Sequence, residues 1–173
     1  MRVIEETRYA ETRDALSHDW EVWLAQQGYS FYPIPNCLPD PRAFLEALSV
    51  DGLVLTGGND LIASDNRTSS TSEARTNTEN VLIRSAIEWS LPVFGTCRGL
   101  HVINAYFGGD LMADLSFVCG RPNPHVRNNH TVEFAPDWRG ITNAACLETN
   151  SYHNQGLTAD QLAPELELVA KST

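Results

Sequence analysis

The stretch LPVFGTCRGLHVINAYFGG, residues 91–109, decides how the chain is read. Residues 91–94 form a short apolar run of strand character, and 98–107 read as a helix closed by Gly108 and Gly109. Between them stands Gly95-Thr96-Cys97-Arg98-Gly99. A nucleophile on a tight strand-to-helix turn needs minimal side chains two residues to either side, because the backbone there nearly touches its neighbours. This is the nucleophile-elbow pattern with cysteine as the attacking atom. The turn presents the sulfur at the edge of a sheet, and the N–H groups opening the next helix favour the thiolate. Cys97 is therefore the candidate nucleophile.

Working outward, Leu53-Val54-Leu55 is a second apolar strand core and runs into Thr56-Gly57-Gly58-Asn59-Asp60. Two glycines past a strand let backbone N–H groups face a cavity, as an oxyanion hole requires. With the N–H of Arg98, the residue after the nucleophile, they would make a two-donor hole. No G-x-G-x-x-G is present, so this is not a dinucleotide fingerprint. Residues 12–27 read as an amphipathic helix with Leu16, Trp20, Trp23 and Leu24 on one stripe, stopped by Gly28. Residues 29–34 suggest a short strand broken by Pro33 and Pro35. Asp40 then caps a helix that opens on Pro41 and carries Phe44, Leu45 and Leu48. The polar stretch 62–80 reads as an exposed loop, followed by a helix near 78–90 burying Val81, Leu82, Ala86 and Trp89. Strands are expected at 131–134 and 166–170. Strands alternating with helices point to a three-layer α/β domain, a mainly parallel sheet covered on both faces. Sites in such sheets form at the carboxyl ends of strands, where both glycine-rich segments fall.

A length of 173 residues suits a single domain, 1–173, and 42% hydrophobic with 20% charged residues argues against wholesale disorder. No apolar run approaches the roughly 20 residues that span a bilayer. The charged first 14 residues do not read as a secretory signal. A net charge of −10 disfavours nucleic acid and anionic membrane as partners. The four cysteines, at 37, 97, 119 and 146, show neither C-x-x-C spacing nor zinc-like pairing with histidine, so no metal is expected. Reduced thiols and a cytoplasmic location follow as the expectation. Cys37, Cys119 and Cys146 read as buried and inert, the Pro- and Asn-rich stretch around His125 and His130 as solvated loop, and His18 as exposed. The acidic residues Glu73 and Glu79, flanking Arg75, suit the start of a helix.

Three stretches together resemble the class I glutamine amidotransferase superfamily: DGLVLTGGNDL at 51–61, LPVFGTCRGLHVINAYFGG at 91–109 and NSYHNQGL at 150–157. The nearest branch is the γ-glutamyl-γ-aminobutyrate hydrolase-like proteins of peptidase C26 type, which TRDAL at 12–16 also fits. The resemblance implies a flavodoxin-like fold and hydrolysis of a γ-glutamyl amide through a cysteine thioester, without cofactor. It assigns Cys97 as nucleophile and the Gly58 and Arg98 amides as oxyanion donors. It further assigns Gly57, His101, Ser151, Tyr152 and His153 to the substrate pocket. His101 departs from the pattern, which carries glutamine at that position.

The resemblance places the catalytic histidine and glutamate in an H-P-E motif near the C-terminus. No H-P-E occurs here, and the chain stops in what reads as the strand before it. A further C-terminal part is therefore expected. His153 is the nearest substitute base in sequence, although the resemblance gives it a pocket-lining role. The leading expectation is a hydrolase acting on a small γ-glutamyl substrate and releasing glutamate with an amine or ammonia. Two alternatives stand beside it: a glutaminase delivering ammonia to a synthetase partner, and a non-catalytic binding protein on the same scaffold. A homodimer is compatible with each.

Overall fold

The computed structural model describes residues 1–61, 73–119, 125–138 and 143–172. They divide into two compact units, 1–61 with 73–103, and 104–119 with 125–138 and 143–172.

The first unit opens on a hairpin in which β1 (Arg2–Glu6) lies antiparallel to β2 (Glu11–Ala15), Arg2 opposite Ala15 and Glu6 opposite Glu11. This corrects the helical reading of 12–27, because α1 covers only His18–Gln26. Ser17 sets that start: its hydroxyl accepts the Asp19 N–H at 3.3 Å. Gly28, at φ +79°, ends the helix with its N–H returned to the Ala25 carbonyl. Residues 29–34 form no strand, since Pro33 and Pro35 deny a ladder its donors. Asp40 caps α2 (Pro41–Leu48) as expected, accepting the Ala43 N–H at 3.0 Å.

Two parallel strands, β3 (Leu53–Leu55) and β4 (Val93–Gly95), carry the glycine-rich segments at their carboxyl ends, with Leu55 opposite Gly95. The helix before β4 begins earlier than its polarity suggests: α3 runs over Glu73–Glu88, while 62–72 lie outside the described residues. Arg75, Glu79, Leu82 and Ala86 follow at i, i+4, i+7 and i+11, so one buried stripe starts polar and continues apolar. Next, α4 (Arg98–Tyr106) follows β4 directly. Leu45, Leu53, Leu55, Leu82, Ile83, Ala86 and Val102 are buried as the core of this unit.

In the second unit a short helix, α5 (Ser116–Cys119), precedes an antiparallel sheet of order β6-β5-β7. Here β5 (Val126–Phe134) reaches further back than the expected 131–134. It pairs with β6 (Cys146–Tyr152) and with β7 (Ala170–Ser172), which starts where the strand expected at 166–170 was to end. Buried Asn104 ties three segments together. Its Nδ2 donates to the carbonyls of Asp110 and Gln161, and its Oδ1 accepts the Ala163 N–H at 2.8 Å. Among the described residues, parallel pairing is confined to β3 and β4, and no helix is long and apolar enough to cross a membrane.

Candidate active site

The turn after β4 is held by its own backbone. The Thr96 N–H donates to Leu55 O at 3.0 Å, Gly99 N–H to Thr96 O at 2.8 Å, and His101 N–H to Cys97 O at 3.2 Å. Cys97 sits at φ +51°, the left-handed region that side-chain-bearing residues seldom occupy. The glycines on either side are sterically required. A Cβ on Gly95 would lie 2.6 Å from the Gly99 carbonyl carbon, and one on Gly99 would lie 2.8 Å from that of Leu55. Thus the close approach of β3, β4 and the first turn of α4 dictates the G-x-C-x-G spacing. The Cys97 thiol is exposed, and the position a Gly57 Cβ would take is 3.4 Å from Cys97 Cβ and 3.7 Å from its sulfur.

The loop beyond β3 is gripped from behind by buried charge. Glu79 accepts from Arg75 Nε at 2.7 Å and from Arg98 Nη2 at 2.8 Å. Arg75 also donates from Nη2 to Thr56 O at 2.6 Å and from Nη1 to Gly57 O at 3.1 Å. Arg98 donates from Nη1 to Asn59 O at 3.2 Å and from Nη2 to Thr76 Oγ1 at 2.9 Å. All three ionic side chains are buried, Arg75 at 0% exposure. Burial draws the Arg98 guanidinium below its ordinary pKa, and Glu79 pulls it back up. Gly58, at φ +133°, leaves no room for a Cβ, which would stand 2.7 Å from Arg75 Nη1. The side chain of Asn59 clasps Val3, accepting its N–H at 2.7 Å and donating to its carbonyl at 2.8 Å.

Sequence reasoning missed the roles of Arg75 and Glu79, which it took as charges suited to a helix start. The available signal was their i, i+4 spacing in line with Leu82 and Ala86, which puts both on the buried face. His101 is buried in α4.

Ser151, Tyr152 and His153 belong to the second unit. Buried Ser151 donates through Oγ to His125 O at 2.7 Å, the His153 N–H donates to the same carbonyl at 3.1 Å, and Tyr152 is 70% exposed. The solvated-loop reading of His125 and His130 is corrected: both are half-buried, His130 lies within β5, and their Nδ1 atoms are 3.0 Å apart. The His153 ring centroid is 5.2 Å from that of His125. Burial, then the neighbouring His153 and His130, holds the His125 pKa below the ordinary histidine value. Cys119 Sγ approaches His125 Nε2 at 3.7 Å. Cys37, Cys119 and Cys146 are exposed, which corrects their expected burial; each falls at a turn or a strand or helix end. Among the described residues no group of three or more His, Cys, Asp or Glu is arranged to hold a metal ion. A hollow of about 210 Å³, lined by Leu45, Glu46, Ser49, Val50, Trp89 and Leu91, has neither cysteine nor histidine in its wall.

Residues 31–173 match the Peptidase C26 family. The glutamine amidotransferase-like protein YvdE homolog of Lactococcus lactis subsp. cremoris is 32% identical over 120 residues, 61% of this chain and 63% of that protein. Gamma-glutamyl-CDP-amidate hydrolase of Campylobacter jejuni is 29% identical over 111 residues, 64% of this chain and 54% of that protein. The crystal structure of a glutamine amidotransferase from Methylobacillus flagellatus superposes with a TM-score of 0.58 at 19% identity, covering 88% of this chain and 55% of that one. The chain thus spans about half to just under two thirds of the length of these three proteins. With the family match over 31–173 and the shared α/β fold, the chain belongs to the peptidase C26 family, a branch of the class I glutamine amidotransferases.

Proposed function

We propose that this chain carries the nucleophile of a γ-glutamyl amide hydrolase. The observation that carries the reading is Cys97 at φ +51° on a turn whose flanking glycines admit no side chain. A general base takes the thiol proton and the sulfur attacks the γ-carbonyl carbon. As the C–S bond forms, negative charge passes to the carbonyl oxygen, where the Gly58 and Arg98 amides donate to it. The C–N bond then breaks, and the base returns its proton to the leaving nitrogen, releasing an amine or ammonia. Water attacks the thioester, breaks the C–S bond and frees glutamate with the thiol restored. The activity named for the Campylobacter relative supports a γ-glutamyl conjugate as substrate, ahead of ammonia delivery to a synthetase.

Incubation with the glutamine analogue 6-diazo-5-oxo-L-norleucine followed by peptide mass mapping tests this directly. The adduct should form on Cys97, and Cys97→Ala should abolish both the adduct and hydrolysis of γ-glutamyl-p-nitroanilide, by about 10³-fold or more. Labelling of Cys37, Cys119 or Cys146 with Cys97 untouched would sink the assignment.

A further inference from the structure

Three carbonyls of the loop after β3 are held by one buried cluster of charge. The carbonyls of Thr56 and Gly57 point at Arg75, and that of Asn59 points at Arg98. Because a trans peptide is planar, each carbonyl fixed on one side sends the following N–H to the other. The amides of Gly57, Gly58 and Asp60 are therefore turned away from the guanidinium groups. Leu55 O, one residue earlier, is already held by the Thr96 N–H of the elbow. Glu79 links the two arginines through its two oxygens, so the grips on 56–57 and on 59 share one carboxylate. A guanidinium bonded to a carbonyl also polarises that peptide, which strengthens its N–H as a donor.

We propose that Arg75, Glu79 and Arg98 form a buried clamp that aims the amide donors of the 56–60 loop into the space beside Cys97. They are positioning residues for oxyanion stabilisation, acting through backbone they hold and not through substrate. The inference rests on the reading of Gly58 as an oxyanion donor, and it adds the residues that orient it. The Arg98 side chain faces Glu79 while its backbone N–H opens α4, so one residue serves both the elbow and the loop. A lysine at 75 could keep the charge, yet a single ammonium has no planar fork to grip two adjacent carbonyls and Glu79 together.

The test compares two reactions of the same sulfur, in protein where Cys37, Cys119 and Cys146 are serine. Acylation by p-nitrophenyl acetate passes through an oxyanion, whereas alkylation by iodoacetamide does not. Arg75→Lys should slow the nitrophenolate burst about tenfold or more, while alkylation changes less than about threefold. Glu79→Gln, which frees the two arginines from each other, should move the same ratio in the same direction. It carries the comparison if Arg75→Lys loses its native far-ultraviolet circular dichroism. Parallel loss of both reactions, or an unchanged ratio in a folded variant, overturns the proposal. The acetate ester carries no glutamyl group, so this outcome is independent of turnover of γ-glutamyl-p-nitroanilide, which tests the substrate reading.

Discussion

Residue by residue, what could be read in advance was what local sterics force. Gly95 and Gly99 face backbone within a few residues or across one parallel strand pair, so the pattern around Cys97 carries its own explanation. Gly99→Ala should therefore fold poorly: driving a methyl into the Leu55 carbonyl costs about 1–3 kcal/mol by the usual price of overpacking. The thermal midpoint should fall by several degrees, about 2–4 °C for each kcal/mol in a chain of this size. The pairing of Glu79 with Arg98 was illegible because the two lie 19 residues apart, although the helical spacing of Glu79 marked its burial. Its burial makes it fragile. Glu79→Ala leaves two guanidinium groups without their shared anion, and removing one member of a buried ionic set costs about 3–5 kcal/mol. Urea denaturation followed by tryptophan fluorescence should show the midpoint fall accordingly.

At the level of elements, hairpin pairing overrode the helical pattern. Thr12 to Ala15 have spacing compatible with the helix that follows, but they pair with Val3 and its neighbours, and Ser17 marks the switch. Their charged side chains gave no alternating apolar signal, because most of the hairpin is exposed. By contrast α2 and α4 were legible, since cap residues and apolar spacing act within a single turn or two. The β5–β6 pair adds a pH dependence that the sequence hid, its histidines having met only through register. The unfolded chain protonates His125 near pH 6.5, while the folded unit protonates it at lower pH. Between those values the unfolded state binds more protons, so stability should fall as pH drops through about 6.5. Amide exchange in β5 and β6 should quicken from pH 7.5 to pH 5.5, after correction for the intrinsic rate. His125→Gln should flatten that dependence.

For the molecule as a whole, the charge of −10 and the isoelectric point near 4.8 set its colloidal behaviour. Light scattering should be greatest near that pH, where self-repulsion vanishes, and lowest at neutral pH. The fold was legible as α/β because two apolar strands each end in a glycine-rich turn; the β5–β6 and β5–β7 pairings were not, since their partners lie 13 to 40 residues apart. The buried ionic triad has a further consequence for synthesis. Arg75 and Glu79 leave the ribosome before Arg98, and the loop they grip contacts residues as early as Val3. Holding Cys97 in a left-handed backbone costs about 1–3 kcal/mol, which only the finished arrangement can offset. A nascent chain thus carries Cys97 on an unconstrained backbone, and the left-handed turn comes into being only when the unit closes.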